Sequence, residues 1–154
     1  MSKFQMERKK AMFTSDSDNW ATPDYLFNYL NSIYNFDFDP CPLNDRPDFD
    51  GLSIEWGNSN FVNPPYSNIA SWVDKAIEEN KNGKIVVLLI PSRTDTRYFL
   101  KLYEHGCLFT FIVGRLAFSG KGSAPFPSVV IELKGNGENT IDYLIRKEKE
   151  NEMG

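Results

Sequence analysis

"KIVVLLI", residues 84–90, is an unbroken apolar run of strand length, held between Gly83 and Pro91. A strand that shows one face to water alternates apolar and polar residues; an unbroken run indicates a strand buried on both faces, as in an α/β sheet covered by helices. Upstream, "SNFV" (59–62) reads as a second short strand. Residues 67–83 read as a helix, with Ser67 or Asn68 as cap, Ile69, Trp72, Val73, Ala76 and Ile77 at core-facing spacing, and Gly83 as the stop. Downstream, "PSRTD" is a loop and "TRYFLKLYEHG" a third helix ended by Gly106, followed by strands at "CLFTFIV", "RLAF" and "PSVVIEL". Nearer the start, "TPDYLFNYLNSIYN" reads as a helix. Thr22 is its cap, Pro23 its first position, and Leu26, Leu30 and Ile33, with Phe27 and Tyr34, its apolar stripe. "NFDFDP" then forms a short strand ending at Pro40, and residues 41–58 read mainly as loop. The predicted class is α/β: a mostly parallel sheet flanked by helices, with an antiparallel strand pair near the C-terminus.

At 154 residues the chain fits one domain. The predicted division is a loose arm at 1–15, a domain at 16–134 and a polar tail at 135–154, in which "TIDYLIRK" makes a short element. No apolar stretch approaches the ~20 residues that span a bilayer, and MSKFQMERKK lacks the apolar block of a signal peptide. Two cysteines, Cys41 and Cys107, make neither a disulfide framework nor a zinc quartet, and read as reduced thiols of a cytoplasmic protein. The net charge of −4 is unevenly spread. Residues 14–60 hold nine acidic groups and one basic group; residues 81–121 hold seven basic groups and two acidic. Such asymmetry permits an anion-binding face without requiring one.

Ligands of open α/β sheets bind beyond the carboxyl ends of the strands. "DPC" (39–41), "NPPY" (63–66) and "PSRTD" (91–95) all fall there. NPPY is the most suggestive. Its two prolines cannot extend a helix or donate to a ladder, so they make one stiff bend. The Asn63 side chain and the Pro64 main chain offer two carbonyl acceptors, and Tyr66 offers a flat platform. A planar ligand with an exocyclic amino group suits that set; a plain strand-to-helix turn is the structural alternative.

In these residues the chain resembles a known family, the small phage-type Dam-like DNA adenine-N6 methyltransferases. The matching stretches are "WATPDYLF" (20–27), "FDFDPCPL" (36–43), "DGL" (50–52), "NPPYSNIASWVDKA" (63–76), "VVLLIPSRTDTRYF" (86–99), "GRLAFSG" (114–120) and "APFPSVVIEL" (124–133), in the family's order. The resemblance implies transfer of a methyl group from S-adenosylmethionine to N6 of an adenine flipped out of DNA. It makes Asn63, Pro64, Pro65 and Tyr66 the active-site loop. Tyr66 would stack on the base, while Asn63 and the Pro64 carbonyl hold the amino hydrogens. For the cofactor it implies Trp20, Thr22, Pro23, Asp39, Pro40, Cys41 and Asn63, with Asp39 near the cofactor's amino group and no metal required. Trp20 and Trp72 also suit core or rim packing.

The stretch "DPCPLN" lacks the glycines usual after the first strand of methyltransferases. Only 23 residues separate Asp39 from Asn63, too few for two further strand–helix units, so the implied fold is a trimmed Rossmann-like sheet. The ribose contact then falls to Asp50 in "DGL", with Asp48 and Asp45 as the other choices. Arg93, Arg97, Arg115 and Lys121 are the residues expected on DNA, and "SGKGSAPFP" is either a segment that orders on binding or a hairpin loop. Other readings are the same chemistry on RNA or protein glutamine, or a silent DNA- or cofactor-binding module. The oligomeric state is left open, a homodimer being one arrangement.

Overall fold

The run at 84–90 becomes strand β2 (Ile85–Pro91) in a computed structural model that describes residues 20–42, 50–118 and 122–145. Both of its faces are buried. Val86, Leu88 and Ile90 point to one side and Val87 and Leu89 to the other, each set at the centre of a separate apolar cluster. The helices supply the two covers. On one side lies α1 (Asp24–Tyr34), whose Leu26, Phe27 and Leu30 meet Phe61, Val87, Leu89 and Val130. On the other lie α2 (Ile69–Lys81) and α3 (Arg97–His105), whose Ile69, Trp72, Val73, Ala76, Phe99 and Leu102 meet Val62, Leu88 and Ile131. Thr96 caps α3 by accepting from the Phe99 N–H, and Gly106 closes it at φ 95°, a conformation that suits glycine.

Five strands make the main sheet: β1 (Ser59–Val62), β2, β3 (Cys107–Ile112), β6 (Ser128–Leu133) and β7 (Thr140–Leu144), in the order β1-β2-β6-β3-β7. A two-strand hairpin, β4 (Ala117–Phe118) with β5 (Gly122–Ser123), stands apart from it. The sheet is mixed. β1 runs parallel to β2, and β7 parallel to β3, while β6 lies antiparallel between β2 and β3. Four strands therefore point one way and β6 is reversed, so the sheet is less uniformly parallel than the helix–strand alternation predicts. Reaching the gap between β2 and β3 from the β4–β5 hairpin allows a short antiparallel return where a parallel strand would need a full crossover.

Several local expectations change. The strand expected at 36–40 shrinks to a single parallel bridge between Phe38 and Asn60. Its polar spacing does not sustain a ladder, because the Asp37 side chain turns to accept from the Ser59 N–H. Ile33 is 55% exposed instead of buried. Tyr34 takes the inward place in that last turn, donating its hydroxyl to Glu132 at 2.7 Å, and Asn35 then reverses the chain at φ 53°. Thr22 does not cap α1: the cap position is Pro23, which makes no side-chain cap bond. The short element expected at "TIDYLIRK" is present as a strand at Thr140–Leu144, and because it pairs along β3 the sheet continues past residue 134 into the stretch expected as a polar tail. The expected arm at 1–15, Asp45, Asp48, Lys121 and residues 146–154 lie outside the described residues.

Candidate active site

β1 delivers Asn63 to the carboxyl end of the sheet, and Pro64-Pro65 then bend the chain into a single turn of tight helix (Tyr66–Asn68) that leads into α2. Asn63 is 7% exposed and Pro64 is buried, while Pro65 and Tyr66 are partly exposed. The Asn63 Nδ2 donates to the main-chain carbonyl of Trp20 and to Thr22 Oγ1, the latter at 3.0 Å. A carbonyl can only accept, so the nitrogen end of the amide has to face Trp20 and the oxygen end has to face away. Oδ1 is buried and, among the described residues, has no hydrogen-bond partner. An orphaned buried acceptor costs about 1–3 kcal/mol, and native structures keep few of them without a use.

Aromatic rings crowd beside this amide. Trp20 and Tyr66 lie nearly parallel, centroids 6.0 Å apart at 15°. Phe126 meets Tyr66 edge-on at 5.1 Å, and Phe118 meets Trp20 edge-on at 5.3 Å. Burial drives the Tyr66 hydroxyl well above the ordinary tyrosine range, against the opposing charge of Arg93, so the phenol stays neutral. Tyr66 also lines a cavity of about 290 Å³ between the turn after β1 and the loop after β2, shared with Ser67, Asn68, Arg93, Thr96 and Tyr98.

A second group forms below the Phe38 bridge. Asp39 accepts from the Cys41 N–H at 2.9 Å, folding "DPC" into a tight turn. Gly51 packs directly on it: a Cβ there would lie 1.8 Å from the Pro40 carbonyl oxygen and 2.8 Å from the Trp72 ring. That close approach brings the Asp50 segment against the Asp39 turn, and Asp50 in turn accepts from Leu52 N–H at 3.0 Å. Trp56 fixes the loop from within, its indole donating to the Gly51 carbonyl at 2.7 Å.

Of the residues expected to act together, Asn63 is bonded to Trp20 and Thr22, and the Trp20 ring stacks on Tyr66, with Pro23 next to Thr22 at the start of α1. Asp39, Pro40, Cys41 and Asp50 gather in the neighbouring turn pair. Arg93 reaches the cavity, while Arg97 opens α3 and Arg115 stands exposed in the turn after β3. Among the described residues no three His, Cys, Asp or Glu side chains meet as a metal site. Phe118 and Phe126 were not singled out from the sequence. Their signal was faint: Phe118 ends the short "RLAF" strand, and Phe126 lies in a Gly- and Pro-rich stretch off any strand alternation.

The chain is also similar to known proteins. A family model described as DNA N-6-adenine-methyltransferase (Dam) matches residues 9–150. A DNA N-6-adenine-methyltransferase of Haemophilus phage HP1 is 34% identical over 97 residues, covering 55% of this chain and 56% of that protein. One of Escherichia phage T1 is 27% identical over 176 aligned positions, covering 95% of this chain and 71% of that protein. With a match along nearly its whole length, the chain belongs to the DNA N-6-adenine-methyltransferase (Dam) family.

Proposed function

We propose that the chain transfers a methyl group from S-adenosylmethionine to N6 of an adenine flipped out of DNA. The observation that carries this reading is the Asn63 amide, turned by Trp20 and Thr22 so that a buried oxygen is left, among the described residues, without a partner. An exocyclic amino group is the donor such an acceptor lacks. The relatives' names supply the substrate class, and the mixed sheet with one reversed strand is compatible with a trimmed Rossmann-like methyltransferase fold.

The donor set suits the cofactor. Asp39 and Asp50, on the two turns that meet where Gly51 packs on Pro40, offer carboxylates to an ammonium and to ribose hydroxyls, and the Pro40–Cys41 turn offers main-chain groups. When bound there, S-adenosylmethionine would supply an electrophilic methyl group on a cationic sulfur. The protein's task is to make the adenine nitrogen attack. Its lone pair is delocalised into the ring, so the amino group is a poor nucleophile while planar. Asn63 Oδ1 and the Pro64 carbonyl accept its two hydrogens, favour a tetrahedral nitrogen, and stabilise the positive charge that develops on it. Tyr66 holds the ring by stacking. Because Oδ1 is buried, a base reaching it has to displace the groups that cover it. Unstacking the base from the duplex costs a few kcal/mol, which the aromatic contacts offset.

The test is to incubate the protein with labelled S-adenosylmethionine and DNA, RNA or protein, then digest and identify the product. N6-methyladenine in DNA is expected. Asn63→Ala should slow its formation at least about a hundredfold, the usual loss for one preorganised group, with cofactor binding retained. Label that persists in DNA from Asn63→Ala, or that enters only RNA or protein, overturns the reading.

A further inference from the structure

Thr22 stands where a helix cap is expected, yet the cap position of α1 falls on Pro23. It is 3% exposed, lies directly before Pro23, and accepts the second Nδ2 hydrogen of Asn63 at 3.0 Å. The two ends of a side-chain amide have almost the same shape, so packing alone does not choose between them. The Trp20 carbonyl chooses the end, being an acceptor only. One hydrogen bond, however, leaves the amide free to swing about its last torsion, which is broad for Asn. The second bond, to Thr22, removes that swing.

We propose that Thr22 is a positioning residue for Asn63: its hydroxyl and the Trp20 carbonyl together clamp the amide nitrogen, so that Oδ1 is held at one angle for the adenine amino group. The inference rests on the methyl-transfer reading above, and it assigns Thr22 a task other than the cofactor contact implied by family resemblance. A side chain two residues from the start of α1 thereby sets the geometry of a loop forty residues later in the chain. The clamp is chemical and specific to a hydroxyl. Valine has the same shape but offers no acceptor, so it would leave one buried Nδ2 hydrogen unpaired and let the oxygen drift.

The experiment compares wild type, Thr22→Val and Thr22→Ser in three measurements: single-turnover formation of N6-methyladenine, cofactor affinity by calorimetry, and thermal melting. The expected result is methyl transfer slowed about tenfold to a hundredfold in Thr22→Val, the range for a displaced reacting group. Cofactor affinity should stay at the wild-type level, and Thr22→Ser should recover most of the rate. Should Thr22→Val fail to melt cooperatively, Thr22→Ala, which removes the hydroxyl without crowding, is read in its place. A wild-type rate in the hydroxyl-free variant, a loss of cofactor affinity instead of rate, or a serine variant as slow as valine overturns the proposal. If wild type itself forms no N6-methyladenine, the functional reading fails first; if it does, a wild-type rate in the hydroxyl-free variant removes only the role of Thr22.

Discussion

Asn63 and Glu79 both carry polar atoms into an apolar interior, and the fold treats them in opposite ways. Glu79 is 2% exposed and is met on every side: Lys75 Nζ at 3.0 Å, Lys84 Nζ at 3.1 Å and the Trp56 N–H at 3.0 Å. Burial by itself would raise its pKa, but the bonds from Lys75, the Trp56 N–H and Lys84 outweigh burial and hold the carboxyl below its ordinary value. Both Glu79 oxygens lie within ion-pair distance of a lysine, whereas Asn63 Oδ1, among the described residues, has neither a hydrogen bond nor an opposite charge, so the two differ as a structural group differs from a functional one. Glu79→Ala should cost about 3–5 kcal/mol, because it takes the acceptor from the Lys75 ammonium and from the buried Trp56 N–H; urea unfolding measures this. The sign of the pH effect follows from the lowered pKa. The contribution is whole above the ordinary carboxylate range near pH 4.5 and fades as pH falls through the lower folded value. Wild type should thus lose more stability than Glu79→Gln on acidification below that range, and equal losses would remove Glu79 as the cause. Tyr66 gives a second test at this scale. Its hydroxyl stays protonated and stacking needs only the ring, so Tyr66→Phe should methylate near the wild-type rate. Tyr66→Ala should lose about tenfold to a hundredfold on duplex DNA, the worth of one base–aromatic stack, with a smaller loss of cofactor affinity. Equal losses in the two measurements would contradict the stacking role.

Among the elements, the loop at 50–58 does the least regular and most consequential work. It carries Asp50, lacks a repeating backbone pattern, and is fixed by Trp56, which reaches Gly51 with its indole and Glu79 with its main chain while lying against Trp72. Lys84 adds a further tie to the Trp56 carbonyl at 2.8 Å. Gly51→Ala introduces a Cβ where a carbonyl oxygen already sits, so the loop has to move away from the Asp39 turn. Overpacking of this kind costs about 1–3 kcal/mol, which lowers the melting temperature by several degrees in a chain of this size. The same variant should bind S-adenosylmethionine more weakly, and a melting point lowered with affinity intact would separate the loop from the cofactor. This loop also marks the limit of what the sequence discloses. β2, α2 and α3 were legible because burial on a face leaves a periodic trace, as in the run at 84–90 or the Trp72, Val73, Ala76 spacing. NPPY was legible because rigid residues confine the possible geometry. The Thr22–Asn63 bond and the Trp20 carbonyl left no trace, since a main-chain acceptor has no side-chain signature and Thr22 also makes an ordinary helix start. The reversal of β6 was equally hidden, because a buried strand has the same apolar run whichever way it points.

Taken as a whole, the molecule sets three exposed arginines at one end of its strands. β1 and β2 run in the same direction and end at Asn63 and Arg93; β3, parallel to them in space, ends just before Arg115. Arg97 opens α3 from the same edge, so three exposed arginines rim the cavity end of the sheet. At the opposite edge, Lys81 closes α2 beside the start of β2. A net charge of −4 would oppose a polyanion if spread evenly, and the arrangement favours one approach only. DNA that offers an adenine to Asn63 has to place its backbone against the arginine rim. Each cation in phosphate contact releases about one counterion, so Arg93→Ala and Arg115→Ala should each flatten the log-affinity against log-salt plot by about 0.9. Lys81→Ala, with the same charge change at the far edge, should leave the slope as in wild type. Fluorescence anisotropy with a labelled duplex over a salt series measures all three. If Lys81→Ala flattens the plot as much as the arginine variants, DNA is held by overall charge instead of by the rim, and the direction from which the base enters has to be reassigned.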